Sequence, residues 1–359
     1  MNQQILFTVF EKAKALEVQG KNLIKLHVGQ PDQSPPALVI KSLKTALDQG
    51  LTRYGSAGGQ PDLTKFIAQK HHCQPENVLI GSGSKWLIQA ALKQLITSQK
   101  PKVIVFQPGY SAYQLMIDDL GGQTISINTS LNQDWQPDAL KLEKQLTSQT
   151  AAIILTSPNN PTSTIIKPEI LTNIQKLAKK HKVPVLHDWA YFDLSFQSQS
   201  LPKLKPNNIH VFSFSKSFSM TGFRLGFIIA SKSFIAGLKK QVQRSLTCVP
   251  PFIQKAGLTA LIDCQDFPKK LVNIYQKRTQ LAQDILGKAN CNFVPPEAGF
   301  YLFVDIKQNA QQFANQLLKK GVVVVPGTAF GQFPTFIRLS LTESDDKLKQ
   351  GLQIITQSL

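Results

Sequence analysis

Residues 213–227 read SFSKSFSMTGFRLGF and form the most informative stretch of the chain. Lys216 lies among small hydroxyl residues, and Arg224 follows eight positions later. A lysine amine can form a Schiff base with an aldehyde carbon. Ser213, Ser215 and Arg224 can hydrogen-bond a phosphate dianion, to which the arginine brings its fixed fork of donors. The stretch therefore predicts a site for a ligand that carries both an aldehyde and a phosphate.

Pyridoxal 5′-phosphate is a cofactor that carries these two groups on one aromatic ring. The alternative interpretation is that Lys216 is one of many surface lysines and lies in an ordinary serine-rich loop. Motifs elsewhere in the chain are of the types that such a cofactor needs, and they favour the cofactor site.

Length and composition are those of a large soluble protein. The chain has 359 residues, of which 42% are hydrophobic and 17% charged, and it is long enough for two domains. No apolar run approaches the length of a membrane span, and the N-terminus reads as an amphipathic helix rather than a signal peptide. The four cysteines are scattered without a CxxC pair, which is typical of free thiols in a reducing compartment. We therefore expect a cytoplasmic protein that binds no metal.

The net charge of +18 is the unusual feature of the composition. A basic surface can attract nucleic acid, anionic lipid or acidic metabolites. The lysines are dispersed, however, without an arginine-rich run, a zinc-ligand spacing or a helix-turn-helix pattern. The sequence favours a general excess of lysine, and a nucleic-acid-binding regulator is a distant alternative.

Short apolar runs alternate with helical patterns, such as 86–95 and 170–181, over the first part of the chain. The runs are rich in β-branched and aromatic residues, and most are followed by Gly, Pro, Ser or Asn. This alternation predicts an α/β fold whose mostly parallel sheet is covered by helices on both faces. The predicted strands are 77–80, 103–106, 124–127, 152–155, 183–187, 210–214 and 227–230.

The pattern changes after Phe267. A long basic helix, at about residues 268–289, leads to a smaller α+β segment with a helix near 310–320. The segment also contains the apolar run 299–306, and strands are predicted at 322–325 and 336–341. We predict a large cofactor-binding domain at residues 36–267 and a small domain formed by residues 1–35 together with 268–359.

Polar residues follow several predicted strands, which is where ligands of open α/β sheets bind. Asp188 closes one strand, and a buried carboxylate there needs a cationic partner or strong hydrogen bonds. Opposite a pyridine nitrogen, it would keep the ring charged as an electron sink. Tyr191 could donate to the phenolate oxygen of the same ring, and Asn160 could project an amide toward it from a proline-rich turn. Taken alone, each of these residues would also suit an ordinary turn.

Residues 81–85 read GSGSK and join a strand to a helix that is predicted to begin near Trp86. Small residues allow a ligand to approach the backbone, and free N–H groups at a helix start favour an anion. Ser84 and Lys85 would then give backbone donors to the phosphate. Tyr110, after the next strand, could stack on a flat ring, although core packing is the commoner role of a single tyrosine.

Arg338 lies in an apolar strand, where a buried guanidinium needs an anionic partner. An α-carboxylate suits it because the two planar groups pair bidentately, and a solvent-facing arginine is the alternative. Gly29 could close the same pocket with backbone groups. Tyr54 is a further candidate donor to the phosphate.

Together these motifs resemble the class I and II aminotransferases, which are fold-type I pyridoxal-phosphate enzymes related to aspartate aminotransferase. The resemblance runs from about Phe7 to near the C-terminus in the family's order. It implies that Lys216 is the Schiff-base lysine and proton shuttle, and that Asp188 pairs with the ring nitrogen. It further implies that Asn160 and Tyr191 contact the ring oxygen and that Tyr110 stacks on the ring face. The substrate carboxylate would be bound by Arg338 and Gly29. The residues implied to hold the phosphate are Ser84, Lys85, Ser213, Ser215 and Arg224.

The resemblance also implies a homodimer in which Tyr54 reaches the phosphate of the neighbouring subunit. Two positions depart from the family's pattern: Ser163 stands where glycine is usual, and Trp189 stands where glutamate is usual. Neither position supplies an essential side chain. The implied reaction is the exchange of an amino group between an L-amino acid and a 2-oxo acid. A pyridoxal-phosphate lyase or decarboxylase stays open from the sequence, because the same electron sink serves each reaction, and the substrate is not defined.

Overall fold

The structure is a computed structural model that describes residues 2–197 and 208–359. Its helices are α1 (Asn2–Val18), α2 (Ala37–Asp48), α3 (Pro61–Lys70), α4 (Gly83–Leu95), α5 (Ala112–Asp119), α6 (Ala139–Gln145), α7 (Pro168–Lys180), α8 (Phe214–Ser217), α9 (Lys232–Ser245), α10 (Pro251–Asp263), α11 (Phe267–Lys288), α12 (Ala310–Lys319) and α13 (Asp345–Thr356). Its strands are β1 (Ile24–Lys25), β2 (Val78–Gly81), β3 (Lys102–Gln107), β4 (Gln123–Asn128), β5 (Thr150–Thr156), β6 (Val185–Asp188), β7 (Asn208–Ser213), β8 (Gly226–Ile229), β9 (Tyr301–Asp305), β10 (Val322–Val323), β11 (Val325–Pro326) and β12 (Phe336–Ser340).

A seven-stranded sheet in the order β2-β8-β7-β6-β5-β3-β4 forms the centre of the described structure. The pairs from β7 to β4 are parallel, while β8 runs antiparallel to both β2 and β7. The predicted α/β fold with a mostly parallel sheet is therefore confirmed, and each of the seven strands predicted for it lies within one or two residues of the observed one. Among the described residues, no helix has the length and apolar character that crossing a membrane requires.

Helices cover the sheet on both faces, which explains why its strands are apolar at consecutive positions. Along β3, Val103 and Val105 pack in the cluster that contains residues of α4, α5 and α9. Ile104 between them packs in the opposite cluster, with residues of α6 and α7. Because successive side chains of a strand point to opposite faces, a strand buried on both sides needs an apolar residue at every position.

The C-terminal part contains two further sheets. Strands β11, β12 and β9 form a three-stranded antiparallel sheet, and β1 pairs in parallel with β10. The prediction of one continuous strand at 322–325 was wrong, because Val322–Val323 pairs with β1 whereas Val325–Pro326 pairs with β12. The run is buried and apolar throughout, so its sequence carries no mark of the change of partner. The predicted long basic helix is confirmed as α11.

The carboxyl ends of the parallel strands bring the polar motifs to one edge of the sheet. Asp188 is the last residue of β6, and α8 with its lysine follows β7 directly. Helix α4 begins at Gly83 and not near Trp86, so Ser84 and Lys85 lie in its first turn. Ser and Gly are weak helix formers in a helix interior, but the first turn tolerates them, and this explains why the predicted start was late.

Gly226 allows a direct test of the fold, because this residue of β8 packs closely against the start of α4. A Cβ at this position would lie 2.7 Å from the carbonyl oxygen of Phe212 and 3.0 Å from the backbone nitrogen of Ser84. We expect Gly226→Ala to lower the free energy of unfolding by about 1–3 kcal/mol, through overpacking of backbone against backbone. Urea unfolding measures the change. Gly222→Ala is the control, since a Cβ there would have no atom within 4 Å, and equal losses in the two variants would contradict the argument.

Candidate active site

A cavity of about 290 Å³ lies at the carboxyl edge of the large sheet. Its wall contains every predicted site residue except Tyr54, whose side chain lies elsewhere. The lining residues are Leu6, Phe10, Gly29, Ser84, Lys85, Ile88, Tyr110, Tyr113, Thr156, Asn160, Asp188, Ala190, Tyr191, Ser213, Ser215, Lys216, Thr221, Arg224, Tyr301 and Arg338.

Lys216 lies in α8, the short helix that follows β7. The Ser213 hydroxyl caps this helix by accepting a hydrogen bond of 3.1 Å from the backbone N–H of Ser215. The Lys216 amine donates to the carbonyl oxygen of Gly29. Burial, together with charge repulsion from Arg338 and Arg224, lowers the pKa of Lys216 from 10.5 to about 8, while Asp188 opposes the decrease. At neutral pH only a minority of the amine is therefore neutral, but this fraction is far larger than at the ordinary pKa of a lysine, and the neutral form is the one that nucleophilic attack and base catalysis require.

Asp188 is buried at the end of β6 with two hydrogen-bond donors. Its Oδ2 accepts 2.7 Å from the Tyr113 hydroxyl, and its Oδ1 accepts 3.0 Å from the backbone N–H of Ala190. Burial raises the pKa of the carboxyl, while the hydrogen bond from Tyr113 counteracts the increase. The hydroxyl oxygen of Thr156 lies 2.8 Å from that of Tyr113 and extends the network. Tyr113 and Thr156 were not predicted as site residues, because their role depends on contacts among α5, β5 and the end of β6, which are far apart in sequence.

Arg338 is held in the cavity wall by neutral groups. Its guanidinium is 3% exposed and donates 3.1 Å to the Asn160 side-chain oxygen and 2.7 Å to the His27 carbonyl. The rings of Tyr301 and Phe330 lie 4.3 and 4.9 Å from its central carbon. Its buried Nε has no hydrogen-bond partner in the described structure. A planar anion such as a carboxylate would satisfy both the charge and this remaining donor.

The hydroxyls of Tyr191 and Tyr301 lie 3.1 Å apart beside this guanidinium. A Cβ at Gly29 would collide with the Tyr301 hydroxyl, so the close approach of the backbone requires glycine. Tyr301 was also missed, because its sequence surroundings, FYLFV, are those of an ordinary buried strand.

The opposite end of the cavity is built for an anion. Ser84 and Lys85 lie at the N-terminal turn of α4, whose free N–H groups favour negative charge. Arg224 adopts a left-handed backbone conformation, donates 2.9 Å to the carbonyl of Thr221, and packs its guanidinium over Gly83. The half-buried Tyr110 lies between this end and Asp188, with its ring 5.4 Å from that of Tyr113. Burial and Asp188 raise the pKa of Tyr110 to about 12, which keeps the phenol neutral.

Two residues of α1, Leu6 and Phe10, form an apolar part of the wall. The Phe10 ring lies 4.7 Å from that of His27. Burial and, to a smaller extent, the charge of Arg338 lower the pKa of His27 to about 3, so the imidazole is neutral. The amphipathic N-terminal helix was predicted, but its contact with the cavity was not. Tyr54, by contrast, is 86% exposed and outside the cavity.

The arrangement defines a class of protein: an α/β protein whose cavity combines a lysine of lowered pKa, a helix start with free N–H groups and a buried arginine with an unpartnered donor. The sequence profile of the family "Aminotransferase class I and II" matches residues 21–355. The chain is 35% identical over 356 residues to the aspartate aminotransferase of Thermococcus kodakarensis, an alignment that covers 99% of this chain and 93% of the relative. It is 30% identical to the aspartate/prephenate aminotransferase of Thermus thermophilus, covering 96% of this chain and 94% of that one.

Solved structures agree with these relatives. The aspartate aminotransferase of Thermus thermophilus with maleate superposes with a TM-score of 0.95 at 28% identity, covering 99% of this chain and 96% of that one. The chain therefore belongs to the class I and II aminotransferases. It is an aminotransferase that exchanges an amino group between an amino acid and a 2-oxo acid, as the sequence predicted.

The lowered pKa of Lys216 predicts how cofactor-free stability depends on pH. Below about pH 8 the amine is protonated in both the folded and the unfolded chain, so folding buries a charge. Above about pH 10.5 it is neutral in both states, and the penalty disappears. We expect Lys216→Met to raise the free energy of unfolding at pH 7 by about 1–3 kcal/mol, and the gain to vanish as the pH rises toward 10.5.

Urea unfolding of the cofactor-free protein at pH 7 and pH 10.5 measures this difference. Lys85→Met, which removes an exposed lysine of the same cavity, is the matched control and should show no such pH dependence. A gain for Lys216→Met that is the same at both pH values would show that the effect is packing and not charge.

Proposed function

We propose that this aminotransferase binds pyridoxal 5′-phosphate in the cavity, with Lys216 as its anchor. The observation that carries the proposal is the position of the Lys216 amine between two anion-binding ends, one at Arg224 and the start of α4 and the other at Arg338. Ser84, Lys85, Ser213, Ser215 and Arg224 would hold the phosphate. The Asp188 carboxylate would face the pyridine nitrogen, as its burial and its two donors support.

Three side chains would orient the rest of the ring. Tyr110 would stack on its face, while the Asn160 amide and the Tyr191 hydroxyl would contact its hydroxyl oxygen. Asn160 already accepts from Arg338 through Oδ1, so its amide NH₂ is the group left to point at the ring. When bound, the cofactor supplies an electron sink that stabilises negative charge on the substrate's α-carbon.

Arg338 would bind the substrate's α-carboxylate, together with the backbone at Gly29. The unpartnered Nε of Arg338 is the available donor. The neighbouring aromatic rings and the neutral hydrogen-bond acceptors leave the charge of the guanidinium uncompensated. Lys216 would then take the α-proton on Nζ, for which its pKa of about 8 is suited near neutral pH. Leu6 and Phe10 would exclude water from that side of the cavity.

The names of the relatives support aspartate and its 2-oxo acid as the substrate pair to test first. The net charge of +18 would also attract an acidic substrate. We further propose a cytoplasmic enzyme with a large domain at residues 36–267 and a small domain of residues 1–35 and 268–359. The four cysteines, which are free in the structure, fit a reducing compartment.

The decisive test is the visible absorbance of the purified protein with added cofactor, before and after single amino acids. We expect an absorbance band that aspartate converts to that of the amino form, without a 2-oxo acid present. Lys216→Ala should lose turnover by several orders of magnitude, because both the anchor and the base are removed. Lys85→Ala removes another lysine of the cavity but keeps the backbone N–H that would contact the phosphate, so it should retain both the band and its conversion by aspartate.

Two outcomes would redirect the proposal. A band that no amino acid converts would point to a lyase, a decarboxylase or a substrate outside the panel. No band at all with saturating cofactor would refute the cofactor assignment.

We also propose that the enzyme is a homodimer in which Tyr54 completes the partner's phosphate site. The exposure of Tyr54 in the single chain supports this, because a large aromatic side chain at 86% exposure is free to enter another subunit. We expect Tyr54→Phe to weaken cofactor binding about tenfold through loss of a hydrogen bond to a charged group.

Hybrid dimers distinguish a Tyr54 that reaches the partner's site from a Tyr54 that acts within its own subunit. When Tyr54→Phe and Lys216→Ala subunits are mixed, one site of each hybrid should be intact and activity should exceed the sum of the parents. Mixtures that show no gain would mean that Tyr54 acts within its own subunit or not at all.

A further inference from the structure

We infer that Arg278, which lies outside the cavity, is a positioning residue that fixes the segment 27–32 through its ion pair with Asp32. This inference rests on the proposed function, since the segment forms part of the proposed carboxylate site. Arg278 belongs to α11, and Asp32 follows Gly29 by three positions. Neither residue lines the cavity.

The ion pair is bidentate, and its arginine is buried whereas the Asp32 side chain stays 20% exposed. Arg278 Nη1 and Nη2 lie 2.9 and 3.0 Å from the two carboxylate oxygens of Asp32, and the arginine is 6% exposed. Tyr275, one turn earlier in α11, donates 3.3 Å to the same carboxylate. Arg278 also donates from Nε to Asp345 at 2.8 Å and from Nη1 to the Leu341 carbonyl at 3.3 Å. The lysine ion pairs of the described structure are, by contrast, exposed on both partners.

The segment 27–32, which Asp32 fixes at one end, provides backbone carbonyls that accept hydrogen bonds from Arg338 and Lys216. The His27 carbonyl accepts 2.7 Å from Arg338, and the Gly29 carbonyl accepts from Lys216. Between them, the Val28 carbonyl accepts 2.6 Å from the Ser340 hydroxyl. A displacement of this segment would therefore move the partners of the carboxylate-binding guanidinium and of the reactive amine together.

Local backbone structure does not hold the segment in place. No helix or strand occurs between the end of β1 at Lys25 and the start of α2 at Ala37. Its position depends on contacts with side chains of other elements, and the charge-assisted pair with Arg278 is the contact at the Asp32 end. The pair also joins two parts of the proposed small domain, residues 1–35 and 268–359, that are far apart in sequence.

The experiment compares the cofactor-loaded wild type with Arg278→Lys, Arg278→Met and Asp345→Asn. Steady-state kinetics with aspartate and 2-oxoglutarate gives kcat and KM, and titration of the visible absorbance with maleate gives a dissociation constant for a dicarboxylate. We expect Arg278→Met to raise KM and the maleate dissociation constant about tenfold or more, with a smaller change in kcat, because the carboxylate site is misplaced. Arg278→Lys keeps the charge but not the fork of donors, and should fall between Arg278→Met and the wild type.

Asp345→Asn is the matched control. Its side chain is 76% exposed, and its removal leaves the bidentate pair with Asp32 intact. We expect its KM to stay within about threefold of the wild type, as for other exposed ion pairs.

The possible outcomes distinguish a positioning role from a purely structural one, and both from a failure of the proposed function. Variants that lose melting temperature or active fraction but keep the wild-type KM and maleate affinity would show that the pair is only structural, and would overturn the inference. If Arg278→Met does not fold, Arg278→Lys with an unchanged KM overturns it equally. A wild type that shows no cofactor absorbance and no turnover would instead refute the proposed function.

Discussion

The cavity concentrates positive charge that the protein neutralises only in part, and the rest of the site depends on this. Lys216, Arg224 and Arg338 face a single lining carboxylate, that of Asp188. Their hydrogen-bond acceptors are neutral dipoles: the carbonyls of Gly29, Thr221 and His27 and the amide of Asn160. Dipoles orient a cation without cancelling its charge, so the positive charge of the cavity stays largely uncompensated. A phosphate at one end and a carboxylate at the other would complete the balance.

Two different parts of the fold meet to produce this arrangement. The carboxyl edge of the large sheet supplies Asp188 and Lys216 from adjacent parallel strands. The smaller sheet supplies Arg338 on β12, and the segment after β1 supplies the carbonyls that hold it. Neither part has a complete site alone. The position of the second part relative to the first therefore decides whether a substrate carboxylate lies within reach of the lysine.

The sequence predicts much of the first part, because the relevant residues directly follow apolar runs. Asp188 and Lys216 lie at strand ends that length and composition identify, and the edge of a parallel sheet brings such ends together. Residues whose role depends on a distant contact escape this reasoning. Tyr301 lies within a uniformly buried strand, and its hydroxyl matters only because Gly29 approaches it. The pair of Asp32 with Arg278 spans 246 positions, and no local pattern indicates it.

The alternation of side chains at the end of β6 also explains why Trp189 can follow Asp188 without changing the surroundings of the Asp188 carboxylate. Side chains alternate along β6 and the residue after it, so His187 and Trp189 point away from the face that carries Asp188. The Trp189 indole stacks on the His187 ring and donates 2.9 Å to Nδ1 of His210. Burial holds the pKa of His187 well below its usual value and lowers that of His210 to about 4, so this layer is neutral at ordinary pH. Because His187, Trp189 and His210 bring no charge to this layer at ordinary pH, none of them competes with a cation in the cavity for the carboxylate of Asp188.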